Sequence, residues 1–269
     1  MPEPLVLRER DGDVVTLTFN DPERRNAMTQ AMGEAFSAQI AELAGDASLR
    51  AVVLTGAGRG FSAGGDLGMI GSHAKRGAER PGAARAPLRD TMRGFYALFL
   101  SVRDLPCPSV AAIHGAAIGA GLCVALACDL RVASTQAKLG LNFTRLGLHP
   151  GMGATWTLPR LVGTARAAEL LYSGRILSGK EAAAIGLVNR AVEPEAVVPT
   201  ARELAQEIAG SAPLAVRGVK RTLARSAQAT LEDQLGFEAD EQAGCFESED
   251  VREGLAAIRE KRVPRFQGR

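Results

Sequence analysis

A glycine-rich stretch in the middle of the chain, residues 109–129 (SVAAIHGAAIGAGLCVALACD), constrains the fold more than any other segment. The apolar run at 110–113 predicts a buried strand, the three glycines over 115–121 predict a turn, and the apolar residues that follow predict the start of a helix. The first N–H groups of a helix have no partner within it. Glycine also lets a ligand atom approach the backbone closely. The stretch therefore predicts a place where backbone N–H groups meet a ligand.

A second segment, residues 51–67 (AVVLTGAGRGFSAGGDL), has the same design. A short β-branched run is followed by glycines, and Asp66 is a suitable N-cap for a helix that begins near Leu67. Two such units could each direct one amide toward the same carbonyl oxygen. Paired amides of this kind form an oxyanion hole, which is often the largest single contribution to acyl chemistry. The two segments together predict a site for a carbonyl compound.

Composition limits the classes of protein that fit this chain. Its 269 residues, 46% of them hydrophobic, suit one or two domains, and a net charge of +2 is not the electrostatic footprint of a nucleic-acid-binding protein. The four cysteines have no disulfide-framework spacing, so we expect reduced thiols and a cytoplasmic protein. The sequence has no secretory signal, no apolar run of membrane-spanning length and no metal-ligand spacing, so we expect neither a membrane partner nor a metal.

The order of predicted elements favours an α/β fold. Residues 5–10 and 14–19 predict a β-hairpin, Thr29 is a candidate cap for the first helix, and strands then alternate with helices, which favours parallel pairing. Residues 185–192 predict the last strand. From Pro194 onward the pattern is helical, with three helices expected at 197–209, at 213–227 and after a capping Ser248.

Residues 71–87, rich in Gly, Ala, Arg and Pro, have no apolar periodicity. The segment predicts a mobile loop, and a lid over the site is the functional alternative.

Three other candidates come from the residues themselves. The sequence G-x-S-x-G at residues 60–64 matches the nucleophile elbow of serine hydrolases, and Asp129 and His149 follow in the order of that fold. The elbow needs its strand immediately before the first glycine, whereas here four loop residues intervene, so a hydrolase using Ser62 is the less favoured interpretation. Cys123 lies at a helix start, where the helix dipole can lower a thiol pKa, or is simply a small buried residue. His149 is a possible base or a structural histidine.

Several motifs, in the same order and over nearly the whole chain, resemble the crotonase superfamily (enoyl-CoA hydratase/isomerase family). They are RRNAM (24–28), FSAGGDL (61–67), the central stretch, LGLHPGMGATWTLPRLVG (146–163) and GRILSGKEAAAIGLVNRAV (174–192). The resemblance implies a crotonase-like spiral of ββα units over residues 1–195 that carries the acyl-CoA site. It also implies a C-terminal helical region, residues 196–269, that forms homotrimers or homohexamers. A coenzyme A thioester would be the substrate, with no permanently bound cofactor.

The resemblance also assigns roles to residues. The oxyanion amides would be those of Gly65 and Ala120. Lys261 and Arg265, in the C-terminal tail, would approach the CoA phosphates, often in a neighbouring subunit, although cations at a helix C-terminus are favourable in any case. The path of the CoA would be lined by a set of residues around Gly65: Arg25, Ala27, Ala63, Asp66, Leu67 and Gly68.

The chain departs from the family pattern at the catalytic acids. Family hydratases use two glutamates, because adding water to a conjugated double bond needs one group to activate water and one to protonate the α-carbon. Those positions hold Cys123 and Phe143, and a further acid position used by some relatives holds Met152. We therefore expect an acyl-CoA enzyme, nominally a lyase or isomerase of fatty-acid or related metabolism. Its base would be Cys123, His149 or a group from residues 71–87. The alternative is an acyl-CoA carrier or sensor without turnover.

Overall fold

The computed structural model describes residues 3–269, which form two β-sheets surrounded by helices. The strands are Val6–Asp11 (β1), Val14–Phe19 (β2), Ala51–Gly56 (β3), Gly60–Ser62 (β4), Ser109–Ile113 (β5), Ala116–Ile118 (β6), Leu130–Ser134 (β7), Lys138–Gly140 (β8), Ile176–Ser178 (β9) and Arg190–Val192 (β10). The helices are Gln30–Ala44 (α1), Leu67–Glu79 (α2), Arg85–Leu100 (α3), Ala120–Ala127 (α4), Ala154–Val162 (α5), Thr164–Ser173 (α6), Gly179–Ala184 (α7), Val197–Ala209 (α8), Pro213–Ser226 (α9), Leu231–Glu247 (α10) and Glu249–Glu260 (α11). Short 3-10 turns cover Pro22–Arg24, Ser101–Asp104, Asn142–Leu146 and Pro194–Ala196.

From β3 to β8, successive strands alternate between the two sheets. The larger sheet has the order β1-β2-β3-β5-β7-β10, in which only the β1–β2 hairpin is antiparallel. The smaller sheet has the order β4-β6-β8-β9, with β9 antiparallel to β8. The pairs β3–β4, β5–β6 and β7–β8 each place one strand in each sheet, and the first two are followed by α2 and α4. The chain therefore repeats a ββα unit, as a spiral requires.

Phenylalanine rings form the centre of the core and hold β4 in place. Phe19, Phe36, Phe61 and Phe99 are fully buried. The ring centroids of Phe19 lie 5.2 Å from Phe36 and 5.8 Å from Phe61. Such aromatic pairs add about 0.5–1.5 kcal/mol beyond the burial of their area. Because Phe61 belongs to β4, this packing fixes the strand from which residues 63–66 depart.

Helix α8 covers the other face of the larger sheet. Its buried residues Val197, Ala201, Ala205 and Ala209 recur at every fourth position and pack on valines and alanines of β2, β3, β5 and β7. Small side chains at this spacing let the helix lie close to the strands. Residues 197–209 thus pack with the spiral, and α9 to α11 follow as a separate group of helices. The division of the chain at residue 195 stays a prediction.

The prediction of a mobile loop at residues 71–87 is wrong. Helix α2 extends to Glu79 and α3 begins at Arg85, so only residues 80–84 connect them. No residue of α2 is buried and three of its residues are glycines, so the sequence lacks the usual signs of a helix that faces the core. The helix is supported instead by the Asp66 cap at its first turn and by the partial burial of Met69 against the core. A role of this segment as a lid stays a prediction.

The other predicted elements are confirmed in part. The hairpin forms, and the side chain of Thr29 accepts a hydrogen bond from the Met32 N–H at the start of α1. The predicted strand at 185–192 is limited to Arg190–Val192, because residues 185–189 form the turn after α7.

The C-terminal region differs from the prediction in two ways. Four helices, not three, follow the last strand within the described residues. The additional helix is α10, which the sequence did not reveal because it has no buried residue and its apolar periodicity is weak. Ser248 precedes α11, but its hydroxyl donates to the Cys245 carbonyl and does not cap the helix.

None of the helices within residues 3–269 combines the length and the apolar character that a bilayer span needs.

Candidate active site

Asn26 joins the loop before α1 to the loop around β4. Its side-chain amide donates to the carbonyls of Ala57, Gly60 and Phe61 over 2.9–3.2 Å, and its Oδ1 accepts from the Asp21 N–H at 2.9 Å. Asn26 is 1% exposed and has φ +54°, a region that asparagine adopts more readily than most residues. These four bonds fix residues 25–28 beside β4.

The backbone on either side of Gly65 is held by Met28. The Met28 N–H donates to the Gly64 carbonyl at 2.8 Å, and the Asp66 N–H donates to the Met28 carbonyl at 3.3 Å. Alternate N–H groups of an extended chain point to opposite sides. The N–H of Gly65 therefore points away from Met28.

Gly64 places this segment against the start of α4. A Cβ on Gly64 would lie 2.4 Å from the Ile118 carbonyl oxygen and 3.4 Å from the Ala120 nitrogen, and φ is +91°, so only glycine fits. Ala120 is the first residue of α4, and its N–H has no acceptor within the helix. The structure thus brings the backbone at Gly65 and Ala120, the two positions given for the oxyanion amides, to neighbouring segments at two helix starts.

Ser62 supports this arrangement through a buried hydroxyl. Its Oγ donates to the Asn26 carbonyl at 2.7 Å and accepts from the Gly64 N–H at 3.1 Å. A Cβ on Gly121 would lie 2.7 Å from the Ser62 Cβ, so β4 and α4 are in close contact. The Ser62 hydroxyl is used within the backbone framework.

Asp129 and His149 lie elsewhere and have other partners. Asp129 Oδ2 accepts from the Ser109 N–H and hydroxyl, each at 2.8 Å, and from Lys220 Nζ at 2.9 Å. His149 is exposed, and its Nδ1 lies 2.7 Å from the Pro150 carbonyl oxygen. No hydrogen bond joins Ser62, Asp129 and His149 in the part of the chain that the structure describes. A serine hydrolase triad therefore has no support from the geometry.

The residues given for the CoA path line one surface next to Gly65. The carbonyl of Arg25 accepts from the Ala63 N–H at 2.9 Å, which joins the two parts of the set. Asp66 caps α2, because its Oδ1 accepts from the Met69 N–H at 2.7 Å. Arg25, Ala63, Leu67 and Gly68 are exposed, and Ala27 and Asp66 are half-buried.

Lys261 is the C-terminal cap of α11, and Arg265 lies in the tail that follows the helix. Lys261 is exposed and ends the helix with φ +53°, and the backbone N–H of Arg265 donates to Glu253 Oε1 at 2.7 Å. Across residues 3–269 no hydrogen bond or ion pair links either side chain to residues 25–28 or 63–68. Their approach to CoA phosphates stays a prediction.

Cys123 lies one helical turn beyond Ala120 and is 2% exposed. Its Sγ donates to the Gly151 carbonyl at 3.6 Å. Burial raises the pKa of the Cys123 thiol to about 12, so the lowering expected from the helix dipole is outweighed. At neutral pH the thiol is protonated and is a hydrogen-bond donor rather than a base.

The two other acid positions of the family also lack a carboxylate. A Cβ on Gly119 would lie 3.9 Å from Phe143 Cζ and 3.7 Å from Asn142 Oδ1, so Phe143 lies beside the residue before Ala120. Met152 is buried. Phe143 fills with a phenyl ring the space next to the predicted oxyanion amide.

Two residues that the sequence analysis did not single out belong to this region, Asn26 and Tyr96. A Cβ on Gly151 would lie 2.4 Å from Tyr96 Oη, which places the hydroxyl next to the acceptor of the Cys123 thiol. Tyr96 is half-buried, and burial, with a smaller contribution from Cys123, raises the pKa of Tyr96 above its ordinary value. The sequence does contain a sign of this position: Tyr96, one of two tyrosines in the chain, follows Met92 by one helical turn and so lies on the same face of the helix.

In the described part of the chain, no group of three or more His, Cys, Asp or Glu side chains is placed to hold a metal ion.

Comparison with known proteins gives a consistent result over nearly the whole chain. A family model described as "Enoyl-CoA hydratase/isomerase" matches residues 9–269. The short-chain-enoyl-CoA hydratase of Clostridium acetobutylicum is 35% identical over 258 residues, which cover 96% of this chain and 95% of that protein. The 1,2-epoxyphenylacetyl-CoA isomerase of Escherichia coli is 35% identical over 264 residues, covering 98% of each.

Solved structures give the same result for the fold. The crystal structure of a putative enoyl-CoA hydratase from Streptomyces coelicolor A3(2) superposes with a TM-score of 0.90 at 36% identity, covering 100% of this chain and 96% of that one. The enoyl-CoA hydratase of Bacillus anthracis superposes with a TM-score of 0.89 at 35% identity, covering 98% and 100%. The predicted α/β spiral with a C-terminal helical region is confirmed.

Proposed function

The chain belongs to the enoyl-CoA hydratase/isomerase family, and from this premise we propose that it binds an acyl-CoA thioester and stabilises the thioester enolate in an oxyanion hole. The donors would be the N–H groups of Gly65 and Ala120. The observation that carries the proposal is the close approach of Gly64 to the Ala120 nitrogen.

The chemistry follows from where the negative charge develops. When a thioester loses an α-proton or is attacked at its β-carbon, charge moves onto the carbonyl oxygen. Two N–H groups that are already oriented stabilise this oxygen without reorganisation during the reaction. Three residues supply that orientation. The hydrogen bonds of Asn26 and Ser62 hold the backbone before Gly65, and those of Met28 hold Gly64 and Asp66 on either side of it.

The same proposal gives a path for the CoA moiety. The exposed surface that includes Arg25, Ala63 and Leu67 leads to Gly65, and the Arg25 guanidinium supplies positive charge near it. Lys261 and Arg265 would add charge for the CoA phosphates from a neighbouring subunit. A cation that pairs with a phosphate forms a charge-assisted hydrogen bond, about twice as strong as a neutral one.

The proton-transfer groups are the unusual part of the site. No carboxylate is present at Cys123, Phe143 or Met152, and the Cys123 thiol is neutral. We therefore propose that hydratase activity is low. The second candidate, an acyl-CoA-binding protein without turnover, is favoured by the same observation.

We also propose that the chain forms homotrimers or homohexamers through its C-terminal helices. Helices α9, α10 and α11 carry exposed apolar side chains that an isolated monomer would leave in water: Val219, Leu223, Leu231, Leu235, Leu255 and Ile258. Exposed apolar surfaces of this kind mark association sites.

A binding titration beside a hydration assay tests the function. Butyryl-CoA labelled with ¹³C at its carbonyl is titrated, and isotope-edited infrared difference spectra report the carbonyl stretch. We expect saturable binding and a shift of the stretch to lower frequency than in solution. Binding without a shift contradicts the oxyanion hole, and no binding contradicts the acyl-CoA function. Measurable hydration of crotonyl-CoA by the same preparation excludes the carrier alternative.

A further inference from the structure

The Tyr96 hydroxyl lies in a small cluster on the α3 side of the site. A Cβ on Gly151 would lie 2.4 Å from Tyr96 Oη and 2.8 Å from Cζ, so the phenol rests directly on Gly151 and any larger residue there would displace it. The Gly151 carbonyl accepts from Cys123 Sγ at 3.6 Å. Tyr96, Gly151 and Cys123 therefore come together from α3, the segment before α5, and α4.

This cluster is close to the predicted oxyanion amide. Cys123 follows Ala120 by three residues in α4, and side chains at that spacing lie on one helix face with Cβ atoms about 5–6 Å apart. Cys123 also occupies the position of a family glutamate, which acts on the carbons next to the thioester carbonyl. The Tyr96 hydroxyl is thus beside the place where those carbons would lie.

The hydroxyl is a neutral donor that lacks an acceptor. Burial raises the pKa of Tyr96, so the O–H keeps its proton at physiological pH. Within residues 3–269 no hydrogen-bond partner is found for Tyr96 Oη, and the atom is not sealed from solvent. The neighbouring thiol directs its own hydrogen to Gly151.

We propose that Tyr96 is a specificity residue whose hydroxyl donates a hydrogen bond to an oxygen on carbon 3 of the acyl chain. This inference rests on the acyl-CoA function proposed above. A bound acyl chain at this position would exclude solvent from Tyr96 Oη. A plain aliphatic chain then leaves the O–H without an acceptor, whereas a 3-hydroxy or 3-oxo group supplies one. The site therefore prefers acyl-CoA thioesters that are oxygenated at carbon 3.

Acetoacetyl-CoA and butyryl-CoA test the preference, because both carry four-carbon acyl groups and only the first has a carbonyl at carbon 3. Isothermal titration of the wild-type chain should give a Kd for acetoacetyl-CoA roughly five- to tenfold lower than for butyryl-CoA. Tyr96→Phe should bring the two Kd values to within about twofold of each other by weakening only the binding of acetoacetyl-CoA. Tyr172→Phe, which removes the other tyrosine hydroxyl from an exposed side chain, should keep the wild-type ratio.

The outcomes separate this proposal from the function on which it rests. If the wild-type chain binds both thioesters equally, or if Tyr96→Phe keeps the wild-type ratio, the specificity role is wrong and the acyl-CoA function stands. If the wild-type chain binds neither thioester, the acyl-CoA function fails and the specificity role fails with it. Gly151→Ala is the second variant, because its Cβ displaces the hydroxyl and should remove the preference while Tyr96 is retained.

Discussion

At the scale of single residues, the site depends on backbone groups that side chains hold in place. Asn26 and Ser62 are both 1% exposed, and their polar atoms bond to the backbone that leads up to Gly65. Gly64 then lets that backbone reach the Ala120 nitrogen. The substitutions that test the site are therefore those that remove one N–H while leaving this framework intact.

Ala120→Pro should remove one proposed oxyanion donor without unfolding α4, because proline is favourable at the first position of a helix. Gly65→Pro should remove the other. We expect each variant to lose most of the carbonyl frequency shift of bound butyryl-CoA, and any turnover should fall roughly 10²–10³-fold. Gly65→Ala retains the N–H, and its Cβ would meet only the flexible end of Ile70 at 3.3 Å, so it should keep the shift. An unchanged shift in both folded proline variants would remove the assignment.

Restoring the two carboxylates should raise hydratase activity. In Cys123→Glu with Phe143→Glu, one group activates water and the other protonates the α-carbon, and general acid–base catalysis contributes roughly 10²–10⁴-fold. Crotonyl-CoA hydration measures the gain. The double glutamine variant has the same shape but no acid or base, and it should stay at the wild-type rate. A well-folded double glutamate variant with no gain would count against the positions assigned to these acids.

At the scale of elements, helix α2 begins immediately after the site and has little packing of its own. No residue of α2 is fully buried, and Met69 packs only partly against the core, so the cap at the first turn contributes to the stability of the helix. The cap residue, Asp66, follows Gly65 directly. Fraying of α2 should therefore reach the proposed oxyanion donor.

Asp66→Ala should loosen the first turn of α2, because it removes the acceptor of the Met69 N–H. Loss of such a cap costs about 1 kcal/mol. Hydrogen exchange of the amides over residues 67–72 should accelerate roughly fivefold, in proportion to that free energy, with no change in α5. Asp66→Asn keeps an acceptor oxygen and should retain most of the protection. Equal exchange rates in wild type and Asp66→Ala would show that the cap does not hold the helix.

At the scale of the whole molecule, burial controls both ionisation and association. Burial raises the pKa of Cys107 to about 11 and those of Cys123 and Cys128 to about 12. The C-terminal helices α9 to α11, in contrast, carry apolar side chains that a monomer leaves exposed. Both features give measurable consequences.

Stability should decrease above pH 9. An unfolded thiol titrates near pH 8.5, whereas the folded thiols keep their protons to about pH 11–12, so the folded state binds more protons in this window. The contribution is complete below about pH 8.5 and is lost as pH rises through the folded pKa, at about 1.4 kcal/mol per pH unit for each thiol. Urea unfolding at pH 8, 9 and 10 measures it. Cys128→Ala should lower the slope by one thiol, and a flat profile in the wild type would contradict the burial argument.

Association should depend on the exposed apolar residues of the C-terminal helices. We expect light scattering to give three or six times the monomer mass for the wild-type chain. Leu223→Asp, on α9, places a charge on a side chain that is 66% exposed in the monomer, and it should shift the mass toward one subunit. Tyr172→Asp, at an exposed aromatic residue of α6, is the control and should assemble normally. A monomeric wild-type protein would refute the proposed trimer.

The sequence predicted those features that local patterns encode. The alternation of short apolar runs, glycine turns and helices predicted an α/β fold with parallel strands, and the motifs in their order indicated the family, which in turn implied the spiral. The failures have a local cause as well. Helix α2 and helix α10 bury no residues, so neither shows the stripe of a helix that faces the core. The Ser248 hydroxyl bonds backward to the Cys245 carbonyl and does not cap α11.

Only the tertiary structure decided how distant segments meet. Residues far apart in the chain meet where Gly64 approaches Ala120 and where Tyr96 rests on Gly151. The raised pKa of the Cys123 thiol likewise comes from burial by the rest of the fold. A sequence specifies backbone preference and side-chain chemistry residue by residue. Desolvation and van der Waals contact depend on what the rest of the molecule packs around each group, and they exist only once the chain is folded.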